Sequence, residues 1–144
     1  MHLIEQSEYY RLYWHDEDQT ILIGEAYAGW TWSAAQIGFK KLNEIVEIRA
    51  QEKNVYVIIY LTTGAQLLPT DGSSLSHIRN LLRDDPDYEQ LTIYVTRSNV
   101  IRTMLQLANR LNGIFQLANK LRFVSTMEHA FEIIEDHKTT NQPD

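Results

Sequence analysis

Residues 55–61 read VYVIIYL, seven apolar residues in a row, four of them β-branched. A strand that shows one face to water alternates apolar and polar side chains. An unbroken run of this length therefore predicts a strand buried on both faces, at the centre of a sheet. LTIYVT, residues 91–96, has the same character and supplies a second buried strand. The segments around these two runs switch to helical spacing, which makes the chain α/β.

Ahead of the central run, YYRLYW (9–14) and TILIGEAYAG (20–29) flank the polar turn HDEDQ and predict a hairpin. Gly24 lies inside the second run, where a bulge is expected, and Gly29 ends it. From Thr31 to about Gln51, Ala35, Phe39, Leu42 and Ile45 or Val46 recur at helical spacing, with Lys40, Lys41, Glu44 and Glu47 mostly opposite. Thr31 and Ser33 both suit its cap. A short helix is expected over Leu75, Ile78, Leu81 and Leu82, stopped by RDDPDYEQ because Pro86 disfavours helix in the residue before it.

SNVIRTMLQLANRLN places Ile101, Met104, Leu105, Ala108 and Leu111 on one face, with Ser98 as cap and Gly113 beyond the end. LRFV (121–124) reads as a short edge strand. STMEHAFEIIED reads as a last helix, capped by Ser125 or Thr126, with Glu128 at capping-box spacing from Ser125. The order is β-β-α-β-α-β-α-β-α: a mixed sheet of about five strands with four helices, its later strands parallel and joined by right-handed crossovers. At 144 residues this is one domain, expected over 1–138, followed by a flexible tail at 139–144.

Composition narrows the function. A net charge of −6 argues against gripping nucleic-acid phosphates, which takes a positive face. With no cysteine, disulfides, thiolate metal sites and cysteine nucleophiles are excluded. The start, MHLIEQSEYY, lacks the pattern of a signal peptide, and no window reads as a membrane span, so a cytoplasmic protein is expected.

The element order, with DGSSL at 71–75 after the central strand, resembles the STAS domain of the anti-sigma-factor antagonists, a likeness that covers roughly residues 8–136. Those proteins read D-S-S-G-L at this place, and a partner kinase phosphorylates the second serine. The resemblance places Asp71 on the family's aspartate, Ser73 on its phosphorylated serine and Leu75 on its first core leucine. Gly72 and Ser74 depart from the pattern, standing where the family has serine and glycine, and the loop from Leu61 to Asp71 is about three residues longer. The resemblance implies an interaction loop made of Asp71, Gly72, Ser73 and Ser74. It also implies a protein partner such as an anti-sigma factor or kinase.

Physical chemistry allows both a switch and a plainer role at Ser73. A helix start offers unpaired N–H groups and partial positive charge, which favour a phosphate. The same donors make serine an ordinary cap.

Other candidates are apolar. Trp30 and Trp32, at alternate positions of AYAGWTW, project to one side, either into packing or outward as an anchor for another protein. Val100 and Leu107 widen the apolar face of the helix that begins after Ser98, which suggests a partner groove or a homodimer. Histidine spacing gives no metal motif; His15 with Asp16, Glu17 and Asp18 reads as a solvated turn, and no Ser73–His77 relay has a third member. No set of nucleophile, base and oxyanion donors can be named, and no cofactor motif is present. The expected function is a non-catalytic regulatory protein-interaction module; the alternative is a small-ligand or lipid-binding domain with an apolar pocket near Trp30 and Trp32.

Overall fold

The computed structural model describes residues 1–62, 65, 69, 76–77, 91–111 and 121–141. Among these the elements run β1 (His2–Gln6), β2 (Tyr10–Trp14), β3 (Ile21–Ala26), α1 (Trp32–Arg49), β4 (Tyr56–Leu61), β5 (Thr92–Val95), α2 (Asn99–Leu111), β6 (Leu121–Val124) and α3 (Met127–Asn141). The six strands form one sheet in the order β1-β2-β3-β4-β5-β6. β1, β2 and β3 pair antiparallel, while β3 through β6 are parallel. The chain is therefore α/β with a mixed sheet, as its periodicity predicts.

VYVIIYL is buried on both faces because a layer of side chains covers each. Val57, Ile59 and Leu61 of β4 join Leu22, Tyr94, Leu42 and Val46 of α1, and Ile101 and Leu105 of α2. Tyr56 and Ile58 join Ile21, Ile23, Ile93, and Ala130 and Ile134 of α3 on the other side. Right-handed crossovers between strands that neighbour in sequence put α1 and α2 on one face. α3 follows the last strand and covers the other.

Sequence and structure differ at particular places. The opening is a three-stranded meander, not a hairpin, so the sheet has six strands instead of about five. β1 is largely exposed and its register with β2 shifts between Leu3 and Glu5, so it carries little of the alternation that marks a strand. The bulge expected at Gly24 is absent: Gly24 sits opposite Leu12 in an unbroken ladder. The helix expected over 75–82 lies outside the described residues except Ser76 and His77, which are helical. Thr31, not Ser33, caps α1 by accepting from the Ala34 N–H, and Ser98 caps α2 through the Ile101 N–H.

Thr126 caps α3, accepting from the His129 N–H at 3.1 Å. The Ser125 hydroxyl instead accepts from Arg102. α3 continues through Asn141, and the hydroxyls of Thr139 and Thr140 donate back to the carbonyls of Glu135 and Asp136. Three residues of the expected tail are thus helical.

The acidic turn HDED is also structured. Asp16 accepts from the Thr20 N–H at 2.9 Å, the Ile21 N–H at 3.0 Å and the Thr20 hydroxyl. Gln19 takes the left-handed conformation that closes the turn. Arg49, at the end of α1, donates to the carbonyls of Asp18 and Gln19, and His15 packs its ring 4.6 Å from that of Phe131.

Candidate functional site

Between α1, α2 and the sheet, at the end where β3 and β4 finish, the core leaves an apolar cavity of about 100 Å³ with an open mouth. Its floor is the sheet: Leu12 of β2, Gly24 and Ala26 of β3, Ile59 and Leu61 of β4, and Tyr94 of β5. Ala35, Gly38, Phe39 and Leu42 of α1 form one side, and Ile101 and Leu105 of α2 the other. Tyr9, Tyr10, Trp30 and Trp32 complete the wall near the first hairpin.

Two glycines keep α1 close to the sheet. A Cβ at Gly24 would stand 3.3 Å from Leu12 Cδ2 and 3.4 Å from Leu42 Cδ1, so these leucines occupy the space a side chain would take. Gly38 lets the Tyr10 ring lie against the helix, 3.6 Å from where a Cβ would sit. The Tyr10 hydroxyl passes beyond the cavity and donates to Glu5 on β1 at 2.9 Å. Burial, followed by that hydrogen bond and the charge of Glu5, raises its pKa above the usual tyrosine value.

Local backbone places the tryptophans. Gly29 has φ +79°, which glycine adopts without strain, and the turn closes with the Trp30 N–H on the Tyr27 carbonyl. Thr62 bonds the Ala26 carbonyl through both its N–H and its hydroxyl, tying the ends of β3 and β4 together. The Ala65 carbonyl accepts from the Trp30 indole N–H at 3.0 Å. Trp30 and Trp32 meet edge to face, centroids 4.8 Å apart. His77 stacks on Trp32 at 5.4 Å and lies 3.3 Å from the Gln36 amide nitrogen.

The opposite face of β2 and β3 is polar at the same level. Glu25 accepts from Arg11 at 2.9 Å, from the Tyr13 hydroxyl at 2.6 Å and from the Tyr27 hydroxyl at 3.2 Å. Arg11 also lies over the Tyr13 ring, 4.7 Å from its centroid. Burial first, then the bond to Glu25 and its charge, pushes the Tyr13 pKa far up. The hydrogen bond to Glu25 is the main reason that Arg11 holds its proton more tightly still.

The structure sorts the sequence candidates. Asp71, Gly72, Ser73 and Ser74 lie outside the described residues. Trp30 and Trp32 do project together and both line the cavity, Trp32 at 3 % exposure and Trp30 half-buried. Val100 and Leu107 are 61 % and 39 % exposed on the outer side of α2. Among the described residues no cluster of three or more His, Asp or Glu side chains could hold a metal ion, and no helix is long and apolar enough to cross a membrane.

The apolar pocket expected near Trp30 and Trp32 has its place here, and the small residues Ala34, Ala35 and Gly38 on the sheet-facing side of α1 are the further signal of it. The Glu25 cluster is what the sequence analysis missed; its signal is the alternation Arg11, Tyr13 against Glu25, Tyr27 across the hairpin. No protein-family model matches this chain, and neither a curated protein nor a solved structure matches it.

Proposed function

We propose that this chain is a non-catalytic binding module of STAS-like type that holds a small apolar molecule beneath Trp30 and Trp32. The cavity carries this reading: a space of about 100 Å³, open at one end and walled almost entirely by carbon. Ligand sites are concave and mostly apolar, and packed cores rarely leave such space unfilled. A wall of this kind offers an occupant contact area and almost no polar surface.

Native mass spectrometry of the protein as purified is the test. The expected result is a population heavier than the bare chain, converted to bare mass by organic extraction. A bare mass in every preparation, with no apolar compound able to raise the melting temperature, overturns the reading.

A second reading, a regulatory protein-interaction module like the anti-sigma-factor antagonists, draws support from the exposed Val100 and Leu107 on α2. It predicts that Val100→Asp and Leu107→Asp abolish capture of a protein partner while the fold persists. It further predicts that Ser73→Asp weakens a partner that Ser73→Ala retains. Equal capture by all four variants rejects it.

A further inference from the structure

The walls of the cavity also constrain the chemistry of its occupant, a deduction that rests on the cavity being a binding site at all. We propose that it takes an uncharged aromatic ring and excludes carboxylate ligands of the same size.

Size sets the first limit. An apolar cavity of about 150 Å³ holds benzene, so about 100 Å³ with an open mouth suits a single ring whose substituent points outward. Shape sets the second. Trp30 and Trp32 both line the space and stand at 83° to one another. A planar ring can meet both in the offset and edge-to-face arrangements that aromatic groups prefer. The bond from Trp30 to the Ala65 carbonyl and the stacking of His77 on Trp32 hold both rings in place before anything binds.

Charge sets the third limit. Among the described residues of the wall no lysine, arginine or histidine appears, and the one carboxylic acid is Glu25. Side chains alternate along a strand, so with Gly24 facing the cavity the Glu25 carboxylate lies on the far side of the sheet, where Arg11, Tyr13 and Tyr27 bind it. A carboxylate entering the cavity would lose its water and find no cation among the described residues of the wall. Burying an unpaired ion is among the least favourable events in protein chemistry.

The probes are toluene, benzoate and cyclohexane, similar in bulk and different in charge and planarity, with the melting temperature and tryptophan fluorescence as readouts. Toluene is expected to raise the melting temperature and change the emission, benzoate to do neither, and cyclohexane to bind about tenfold more weakly than toluene. Gly38→Leu, which fills the space beside Tyr10, is expected to reduce toluene affinity at least about tenfold in a protein that keeps its circular dichroism. Ala35→Leu serves the same purpose one turn earlier should Gly38→Leu not fold.

Benzoate binding as well as toluene overturns the charge argument, and cyclohexane binding as well as toluene overturns the aromatic one; in both cases the cavity remains a ligand site. Toluene binding that neither filled variant reduces overturns the location. Failure of all three probes overturns the inference together with the reading beneath it.

Discussion

Asp16 holds the β2–β3 turn through three hydrogen bonds, and replacing it with alanine tests how much of the hairpin depends on them. The bonds come from the Thr20 N–H, the Ile21 N–H and the Thr20 hydroxyl. Bonds to a charged acceptor contribute about 1.5–3 kcal/mol each when buried, and less where water competes. Asp16 is half-buried, so we expect Asp16→Ala to lose about 2 kcal/mol in all. With a urea dependence of about 2 kcal/mol per molar for a chain of this size, the unfolding midpoint should fall by about 1 M.

pH gives the argument a second edge. Burial alone would raise the Asp16 pKa, but the bonds from Thr20 and Ile21 outweigh it and hold the carboxyl below its ordinary 3.8. A depressed carboxyl stabilises the fold above the unfolded value and loses that contribution as pH falls through the folded one. The gap between wild type and Asp16→Ala should be full at pH 7, still full at pH 5, and narrower by pH 3. Asp16→Asn should fall between them, since its amide oxygen can still accept. A loss under about 0.5 kcal/mol at pH 7, or a gap unchanged between pH 5 and pH 3, would show that the ionised Asp16 does not hold the turn.

The remaining expectations concern other sites. Gly38→Ala should raise stability by up to about 1 kcal/mol, because alanine favours the helix and its Cβ meets the Tyr10 ring at an ordinary 3.6 Å; a lower melting temperature contradicts this. Ile58→Ala, at a position with no exposure, should cost about 2–5 kcal/mol in urea unfolding; a cost under about 1 kcal/mol would mean that the two faces of β4 are not both packed. The Tyr13 pKa is raised above 10.0 by burial and then by Glu25, so its contribution is complete below pH 10 and disappears as pH rises beyond. Tyr13→Phe should therefore flatten the alkaline loss of stability above pH 10, and an unchanged alkaline limb would show that another group governs it.

Much of the fold was legible because burial writes itself into sequence. Val57, Ile58 and Ile59 could be apolar in succession only if both faces were covered, and the helical spacing of Ala35, Phe39, Leu42 and Val46 named the face α1 turns to the sheet. β1 was not legible: an edge strand is held by main-chain hydrogen bonds, which any sequence can make, and His2, Leu3 and Gln6 face water. Caps were legible as a choice between neighbours, Thr31 or Ser33, Ser125 or Thr126, and only backbone geometry decides which hydroxyl reaches the free N–H groups. The site was harder still. Tryptophan alternation showed that Trp30 and Trp32 would share a side, but whether that side was core or surface depended on Ala65 and His77, distant in sequence and adjacent in space. A cavity is defined by atoms that are missing, and Gly38 reads in sequence as a weak helix residue rather than as room for the Tyr10 ring.

The strand order has a consequence for how the molecule assembles itself. Every described strand lies beside the described strand made just before it, so a chain leaving the ribosome finds its docking edge already present. β1 to β3 can close as a meander with short turns alone, and each later strand adds to the growing edge after one crossover, with no gap held open for a latecomer. The first loops to close are the shortest ones, which keeps their entropy loss small. Growth in one direction also means that α3, made after all six strands, is the one that seals the second face. Until it docks, Ile21, Ile23, Ile58 and Ile93 lack the cover of Ala130 and Ile134, and a nascent chain halted before residue 127 would display that apolar face to its neighbours.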